Sequence, residues 1–186
     1  LTKHKYQNAT GHDLWDSIGK ISKKPVKSMM NSWISQVGFP LIEAKKKNSK
    51  LILTQKRFLL ESDKKHQKGS WQIPVSIGIE KSATPKLMSQ KTSSFSLGKE
   101  LYPVVNSSKK GFLRVKYDEE LLSMLKPLVE EKKLNHIDRW NIQNDLFAIC
   151  VSGNETISTY LDFTEAYIHE QNYLSCVNVA NNLNFL

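Results

Sequence analysis

The pattern of apolar and polar positions divides the chain into three stretches. In residues 1–38 the apolar side chains recur at helical spacing. Leu14, Trp15, Ile18 and Ile21 form one set, and Val26, Met29, Met30 and Trp33 fall at i, i+3, i+4 and i+7. This spacing predicts two helices, the first starting at Asp13 and the second carrying Pro25 at its first position, where a missing N–H is tolerated. Gly38 suits the residue just past the second helix, and Pro40 forbids continuation. From residue 39 to 117 the rhythm shortens to alternation and short apolar runs. Residues 41–44, 51–60, 71–80, 93–101, 102–105 and 112–117 are strand candidates, separated by polar loops at 45–50, 61–70, 81–90 and 106–110. Turn signals about every eight to twelve residues predict an antiparallel β-sandwich of about six to seven strands, with Pro74 at an edge or a bulge.

The change to the third pattern is abrupt. Phe112 to Tyr117 alternate as a strand; Asp118, Glu119 and Glu120 then supply a helix cap and first-turn carboxylates. Leu121, Leu122 and Leu125 return at helical spacing. Asn135 with Asp138 three residues later forms a capping-box variant, followed by the stripe Ile142, Leu146, Ile149 and Cys150, which Gly153 ends. Ser158 opens a further helix with Leu161, Ala166 and Ile168, and residues 173–186 predict a last one. Short helices joined by tight turns fit α-solenoid hairpins better than a closed bundle. The expected fold class is therefore a multidomain α+β fragment. It comprises a short helical segment (1–38), a β-sandwich (39–117) and the start of an α-helical domain (118–186). Two tryptophan-bearing helices are too little for a core of their own, so Trp15 and Trp33 are expected to face a body outside this chain. Both chain ends are expected to lie within a longer protein.

Charge sharpens the same division. Residues 1–117 hold 23 Lys/Arg and 7 Asp/Glu, a balance of +16, whereas residues 118–186 hold 4 and 11, a balance of −7. Such a basic half is compatible with a β-rich module for nucleic acid or an anionic surface. However, only three of the 27 cations are arginine, namely Arg57, Arg114 and Arg139. Lysine is a well-hydrated point charge, so an arginine-poor surface favours solubility over phosphate reading and argues against nucleic acid. No run of about eighteen apolar residues occurs, which argues against a membrane span. Cys150 and Cys176, without a C-x-x-C, read as reduced core thiols of a cytoplasmic protein.

Candidate chemistry is sparse. None of His4, His12, His66, His136 and His169 forms an H-x-x-x-H pair. His169-Glu170 begins like a zincin helix but has Tyr173 where a second imidazole is required, so both read as solvated helix residues. Gly98-Lys99-Glu100 lacks the rest of a phosphate loop, and no G-x-G-x-x-G or G-x-S-x-G occurs. Consecutive carboxylates such as Glu130-Glu131 point apart. No catalytic residue and no metal ligand is nominated.

Several segments in order nevertheless resemble one family, the zinc-dependent aminopeptidases of the gluzincin class, above all the puromycin-sensitive and archaeal tricorn-interacting branch. Asn8-Ala9-Thr10 with Asp13-Leu14-Trp15 resembles the helix after that family's active site. Val26, Met29, Trp33 and Gly38-Phe39-Pro40 resemble its turn into the β domain. Leu53-Thr54-Gln55-Lys56-Arg57-Phe58 and Trp71-Gln72-Ile73-Pro74 resemble two of its strands. Gly111 to Asp118 resembles G-[FY]-Y-R-V-N-Y-D, and Ile137-Asp138-Arg139 with Asp145 resembles its I-D-R…D helix. Leu113, Lys116 and Cys176 depart from the family pattern.

The resemblance implies a parent that binds zinc through an H-E-x-x-H helix and a further Glu and acts on peptide substrates. It places those residues before Leu1, so this segment itself is expected to bind no zinc. Its partners would be the missing N-terminal catalytic domain and the remainder of the helical domain. All three arginines fall inside matched motifs. This marks a structural seam of Arg114, Tyr117, Asp118, Asp138, Arg139 and Asp145, in which Arg114 and Arg139 are expected to reach Asp118, Asp138 or Asp145. A scaffold from a catalytically dead relative is the remaining alternative.

Overall fold

The computed structural model describes residues 5–60, 69–78, 84–96 and 102–186. His4, His66 and Gly98-Lys99-Glu100 lie outside the described residues, as do the ends of two strand candidates at Glu80 and Leu101. The first helix, α1 (Gly11–Ser22), begins before Asp13 because Thr10 is its cap. The Thr10 amide donates to Asp13 Oδ2 at 2.9 Å, and Thr10 Oγ1 accepts from the Asp13 amide at 3.4 Å. Pro25 caps α2 (Val26–Ile34) rather than opening it. Gly38, at φ 81°, lies beyond the end of α2 and turns the chain into the first strand, where a Cβ would meet the Arg57 side chain at 3.2 Å.

The two helices fare differently. No residue of α1 is buried, and Leu14 and Ile21 are exposed. Trp33 of α2, in contrast, finds its partner within the chain. Its ring lies 6.4 Å from that of fully buried Trp71, and its Nε1 donates to the Gln72 carbonyl at 3.0 Å. Ser32 Oγ accepts from the Gln72 amide at 2.9 Å, and Gln36 Nε2 donates to the Ser70 carbonyl at 2.7 Å. The body expected to cover Trp33 is thus, for that residue, the segment leading into the third strand.

The strands are β1 (Pro40–Lys47), β2 (Lys50–Arg57), β3 (Ile73–Ile77), β4 (Thr84–Met88), β5 (Thr92–Ser96) and β6 (Arg114–Tyr117). Four form one sheet in the order β5-β2-β1-β6, and β3 pairs with β4 in a separate ribbon. The sheet is mixed, not wholly antiparallel as expected. β1 and β2 form a hairpin and β5 runs antiparallel to β2, but β6 lies parallel to β1. The chain passes from β5 at one edge of the sheet to β6 at the other through residues 97–113, and such a crossover is free of the antiparallel sense that a tight hairpin imposes. Residues 102–105 contribute a single bridge, Val105 to Ile77. Pro74 is tolerated because its strand belongs to a ribbon described with one neighbour.

The helices of the second half are α3 (Glu119–Glu130), α4 (His136–Val151), α5 (Ile157–Thr164) and α6 (Tyr173–Phe185). Asp118 caps α3 and Asn135 caps α4, each accepting from a backbone amide three residues on at 2.9 Å. Thr156, not Ser158, caps α5. The chain is therefore α+β. Ile42, Ala44, Leu51 and Leu53 of the sheet, Ile73, Val75 and Ile77 of the ribbon, and Leu121, Leu125, Ile142 and Leu146 of the helices belong to one continuous buried cluster. Cys150 lies within it, while Cys176 is exposed; both thiols are free, so only one is a core thiol.

Truncating Trp33 to alanine is expected to lower the unfolding free energy by roughly 2–3 kcal/mol. Leu14→Ala on the uncovered helix is expected to shift it by less than about 0.5 kcal/mol. Urea denaturation of the two variants measures both.

Candidate functional site

The seam is built where β6 hands over to α3 and where α4 crosses behind the strand. Tyr117 ends β6 with its ring buried, and its hydroxyl accepts from the Val105 amide at 2.9 Å and donates to the Val105 carbonyl at 3.3 Å. Burial pushes its phenol well above the usual range, so it stays protonated and able to donate. Asp118 then serves two elements. Its Oδ1 caps α3, its Oδ2 accepts from the Lys46 amide of β1 at 3.1 Å, and its own amide donates to the Ala44 carbonyl at 3.0 Å. The helix cap is in this way a continuation of the β1–β6 pairing.

The carboxylate of Asp145 on α4 is wholly buried. Oδ1 accepts from Arg114 Nη1 at 2.9 Å, Oδ2 accepts from the Val115 amide at 3.0 Å, and Lys109 Nζ stands 3.7 Å away. Val115 is paired with β1 on its other side, so Asp145 occupies the outer edge of the strand and closes it with a side chain instead of another strand. Arg114 also donates to the Asn144 carbonyl at 3.2 Å and lies over the Phe58 ring at 5.5 Å. Burial pushes the Asp145 carboxyl up, against the pull of Lys109, Arg114 and the Val115 amide. Burial likewise lowers Lys109, which Asp145 only partly offsets.

Asp138, about two helical turns before Asp145, holds the loop ahead of β6. Its Oδ1 accepts from the Ser108 amide at 2.5 Å and its Oδ2 from Ser107 Oγ at 3.3 Å. That loop carries three non-glycine residues at positive φ: Asn106 at 62°, Ser108 at 59° and Lys109 at 49°. Each is held at a cost of order 1–3 kcal/mol, which surrounding contacts must offset. Asn106 contributes by accepting from the Gly111 amide at 2.7 Å and donating to its carbonyl at 3.0 Å. Sequence reasoning treated residues 106–110 as a plain polar loop; the signal available was the Asn-Ser-Ser run, whose residues tolerate left-handed backbone and self-bonding turns.

Arg139 goes elsewhere. Its Nε and Nη2 donate to the Glu170 carboxylate at 2.5 and 3.0 Å, and its Nη1 donates to the Leu134 carbonyl at 2.6 Å, all within the helical part of the chain. The Glu170 side chain is only 4% exposed and lies outside any helix, unlike the solvated helical residue that the sequence suggested. Burial opposes its ionisation, but the Arg139 hydrogen bonds and the Asn172 and Gln171 amides prevail and hold its carboxyl down at about 2. The structure thus brings Arg114, Tyr117, Asp118, Asp138 and Asp145 to the junction and places Arg139 on a separate lock. Gln55, named from sequence only as part of a strand motif, is fully buried and bonds both the Trp71 amide and carbonyl and the Gln90 carbonyl.

Most of these groups pair as donor and acceptor, although Arg114 Nε is buried without a hydrogen-bond partner. Among the described residues no three His, Cys, Asp or Glu side chains gather where they could hold a metal ion. No helix of the described residues is long and apolar enough to cross a membrane.

Comparison with known proteins bears on the same residues. The sequence model of the ERAP1-like C-terminal domain matches residues 103–186, from just before the strained loop to the last helix. The Tricorn protease-interacting factor F2 of Thermoplasma acidophilum is 32% identical over 183 residues, covering 98% of this chain and 22% of that protein. The probable aminopeptidase 2 of Sulfurisphaera tokodaii is 31% identical over 187 residues, covering all of this chain and 23% of that protein. Aminopeptidase M1-A of Oryza sativa is 32% identical over 191 residues, covering 97% of this chain and 22% of that protein. These matches support an M1-family aminopeptidase fragment. It spans between a fifth and a quarter of the length of the curated relatives it matches, at 22–23%. Within this M1 segment, every carboxylate of the seam lies inside the family-model match, while the β1 strand it is tied to lies before it.

Replacing Asp145 with alanine leaves Arg114 and the Val115 amide without their acceptor and is expected to cost roughly 3–5 kcal/mol of stability by denaturant titration. Glu170 gives a pH signature. Its folded-state carboxyl, at about 2, lies below its ordinary value of 4.5, so its contribution is present above pH 4.5 and is lost as the pH falls towards 2. Asp145, shifted upward, works in the opposite sense, its contribution growing as the pH falls. Melting temperatures between about pH 5 and 2 are therefore expected to fall less steeply in Glu170→Gln than in the parent sequence.

Proposed function

We propose that this chain is the non-catalytic middle segment of a zinc-dependent aminopeptidase that removes N-terminal residues from peptides, and that its task is to set the position of a helical domain over a catalytic domain. The observation that carries this reading is the Asp145 carboxylate, shared between a side chain and a backbone amide of β6. A side chain of α4 that completes the edge of a β-strand fixes the helix relative to the sheet in both translation and rotation. In this reading residues 1–38 end the catalytic domain, residues 39–117 form a sandwich-type linker, and residues 118–186 start an α-solenoid. The zinc ligands and the acid–base groups belong to other parts of the parent, whose setting is cytoplasmic and whose partners are peptide substrates and the adjoining domains.

A nucleic-acid module is less well supported. Lysines of the basic half are engaged by carboxylates: Lys46 by Glu120, Lys56 by Glu43 at 2.8 Å, and Lys116 by Glu155 at 3.1 Å. Two of these three pairs cross from the sheet to the helical part and use a small part of the charge contrast to join the halves.

The isolated chain is expected to bind no stoichiometric zinc by metal analysis and to cleave no aminoacyl reporter substrate, while the full-length parent does both. Cleavage by the isolated chain would overturn the reading. In the parent, Asp145→Ala is expected to lower kcat/KM on peptides by about tenfold or more through misplacement of the helical domain, with metal content unchanged.

A further inference from the structure

The edges of the β-structure are protected unequally. β6 is closed by the Asp145 carboxylate on the Val115 amide. In the ribbon, Pro74 faces Leu87 and Pro85 faces Ser76, two pairs of the same parity in which a proline withholds the donor that would point outward. β5, at the other edge of the four-stranded sheet, has no such device. It reads Thr92-Ser93-Ser94-Phe95-Ser96, without charge, proline or glycine, and among the described residues it pairs with β2 alone. The Gln55 amide donates to the Lys91 carbonyl at 2.9 Å, so the bonded pairs that follow are Leu53 with Ser93 and Leu51 with Phe95. The amides and carbonyls of Thr92, Ser94 and Ser96 therefore point away from β2. Phe95 packs against the buried cluster, and Thr54 Oγ1 lies 3.2 Å from Thr92 Oγ1, so the strand is held as a template before anything binds.

Cations surround this edge. Lys91 precedes β5, Lys50 stands opposite Ser96 at its end, and Lys86 Nζ lies over the Phe95 ring at 5.3 Å. All three lysines are exposed, and among the described residues none has a carboxylate partner. We propose that the outward edge of β5 binds an extended acidic segment of another protein, which joins the sheet as a further strand. Five residues of strand span about 17 Å. The segment takes the backbone positions opposite Thr92, Ser94 and Ser96, and it carries carboxylates on either side of an uncharged core, one end towards Lys91 and the other towards Lys50. Backbone hydrogen bonds supply the affinity, and the flanking charges choose the partner. A second copy of this chain is a poorer occupant, because antiparallel pairing of two β5 edges sets the Lys91 end of one copy beside the Lys50 end of the other. β5 lies at the edge of the sheet opposite β6, so an added strand leaves the Asp145 lock untouched, whatever the parent cleaves.

The test is a titration of the whole 186-residue chain with the peptide Glu-Asp-Thr-Val-Thr-Val-Thr-Asp-Glu, followed by amide NMR and hydrogen exchange. The amides of Thr92, Ser94 and Ser96 are expected to shift and to gain protection, and the acidic peptide to bind about tenfold or more tightly than the same core flanked by lysines. Ser94→Pro removes an outward donor without touching the pairing with β2 and is expected to abolish binding with the melting temperature little changed. Should proline unsettle β5 itself, Lys50→Glu combined with Lys91→Glu supplies a second variant, expected to transfer the preference to the lysine-flanked peptide. Equal binding of the two peptides, binding that survives the charge reversal, or no binding of either would each overturn the proposal. Dimerisation of the chain that the acidic peptide fails to displace would reassign the edge to a second copy and overturn the acidic partner. No reporter is cleaved in these measurements, so their failure leaves the aminopeptidase reading of the parent untouched.

Discussion

The junction of strands and helices depends on one buried carboxylate. Asp145 gives one oxygen to Arg114 and the other to the Val115 backbone, and among the described residues no further strand lies beyond β6 to take that amide. An unpaired buried amide and an unpaired buried carboxylate are each costly, so either partner alone would be a liability. Together they oblige α4 to sit at one place along the strand. Burial pushes this carboxyl up, against the pull of Lys109 and Arg114.

The other contacts of the junction add constraints that one ion pair could not. Asp118 extends the β1–β6 pairing into the cap of α3, and Tyr117 pins the strand end to Val105. Asp138 holds the left-handed backbone of residues 106–109 in place. Apolar residues on both sides then share one buried cluster, and the sheet and helices meet through a packed interface rather than across a hinge. The Arg139–Glu170 lock ties the first turn of α4 to the segment before α6, so this helix has partners both at the strand and within the helical part.

Such an arrangement suits a segment whose contribution is geometric. Helix α1 provides a contrast: it is well capped but leaves Leu14 and Ile21 uncovered, whereas Trp33 of α2 is packed on Trp71. Order in the chain therefore follows from what each apolar face meets and not from helix propensity alone.

Local chemistry was legible in the sequence. The caps Asp118 and Asn135, the buried stripe of α4 and the switch from alternation to helical spacing at Asp118 depend on residues a few positions apart, and each follows from short-range sterics and hydrogen bonding. The ordered motifs also carried the family resemblance. What only the tertiary structure decided were the relations between distant residues. The parallel sense of β6 arises from a crossover between opposite sheet edges, from β5 to β6, on which local pattern sets no sign. The choice of Glu170 for Arg139 and of Asp145 for Arg114 joins residues 31 apart in each case. A charge reads the same in sequence whether solvated or buried, and only packing separates the two, because desolvation acts through neighbours that come from elsewhere in the chain.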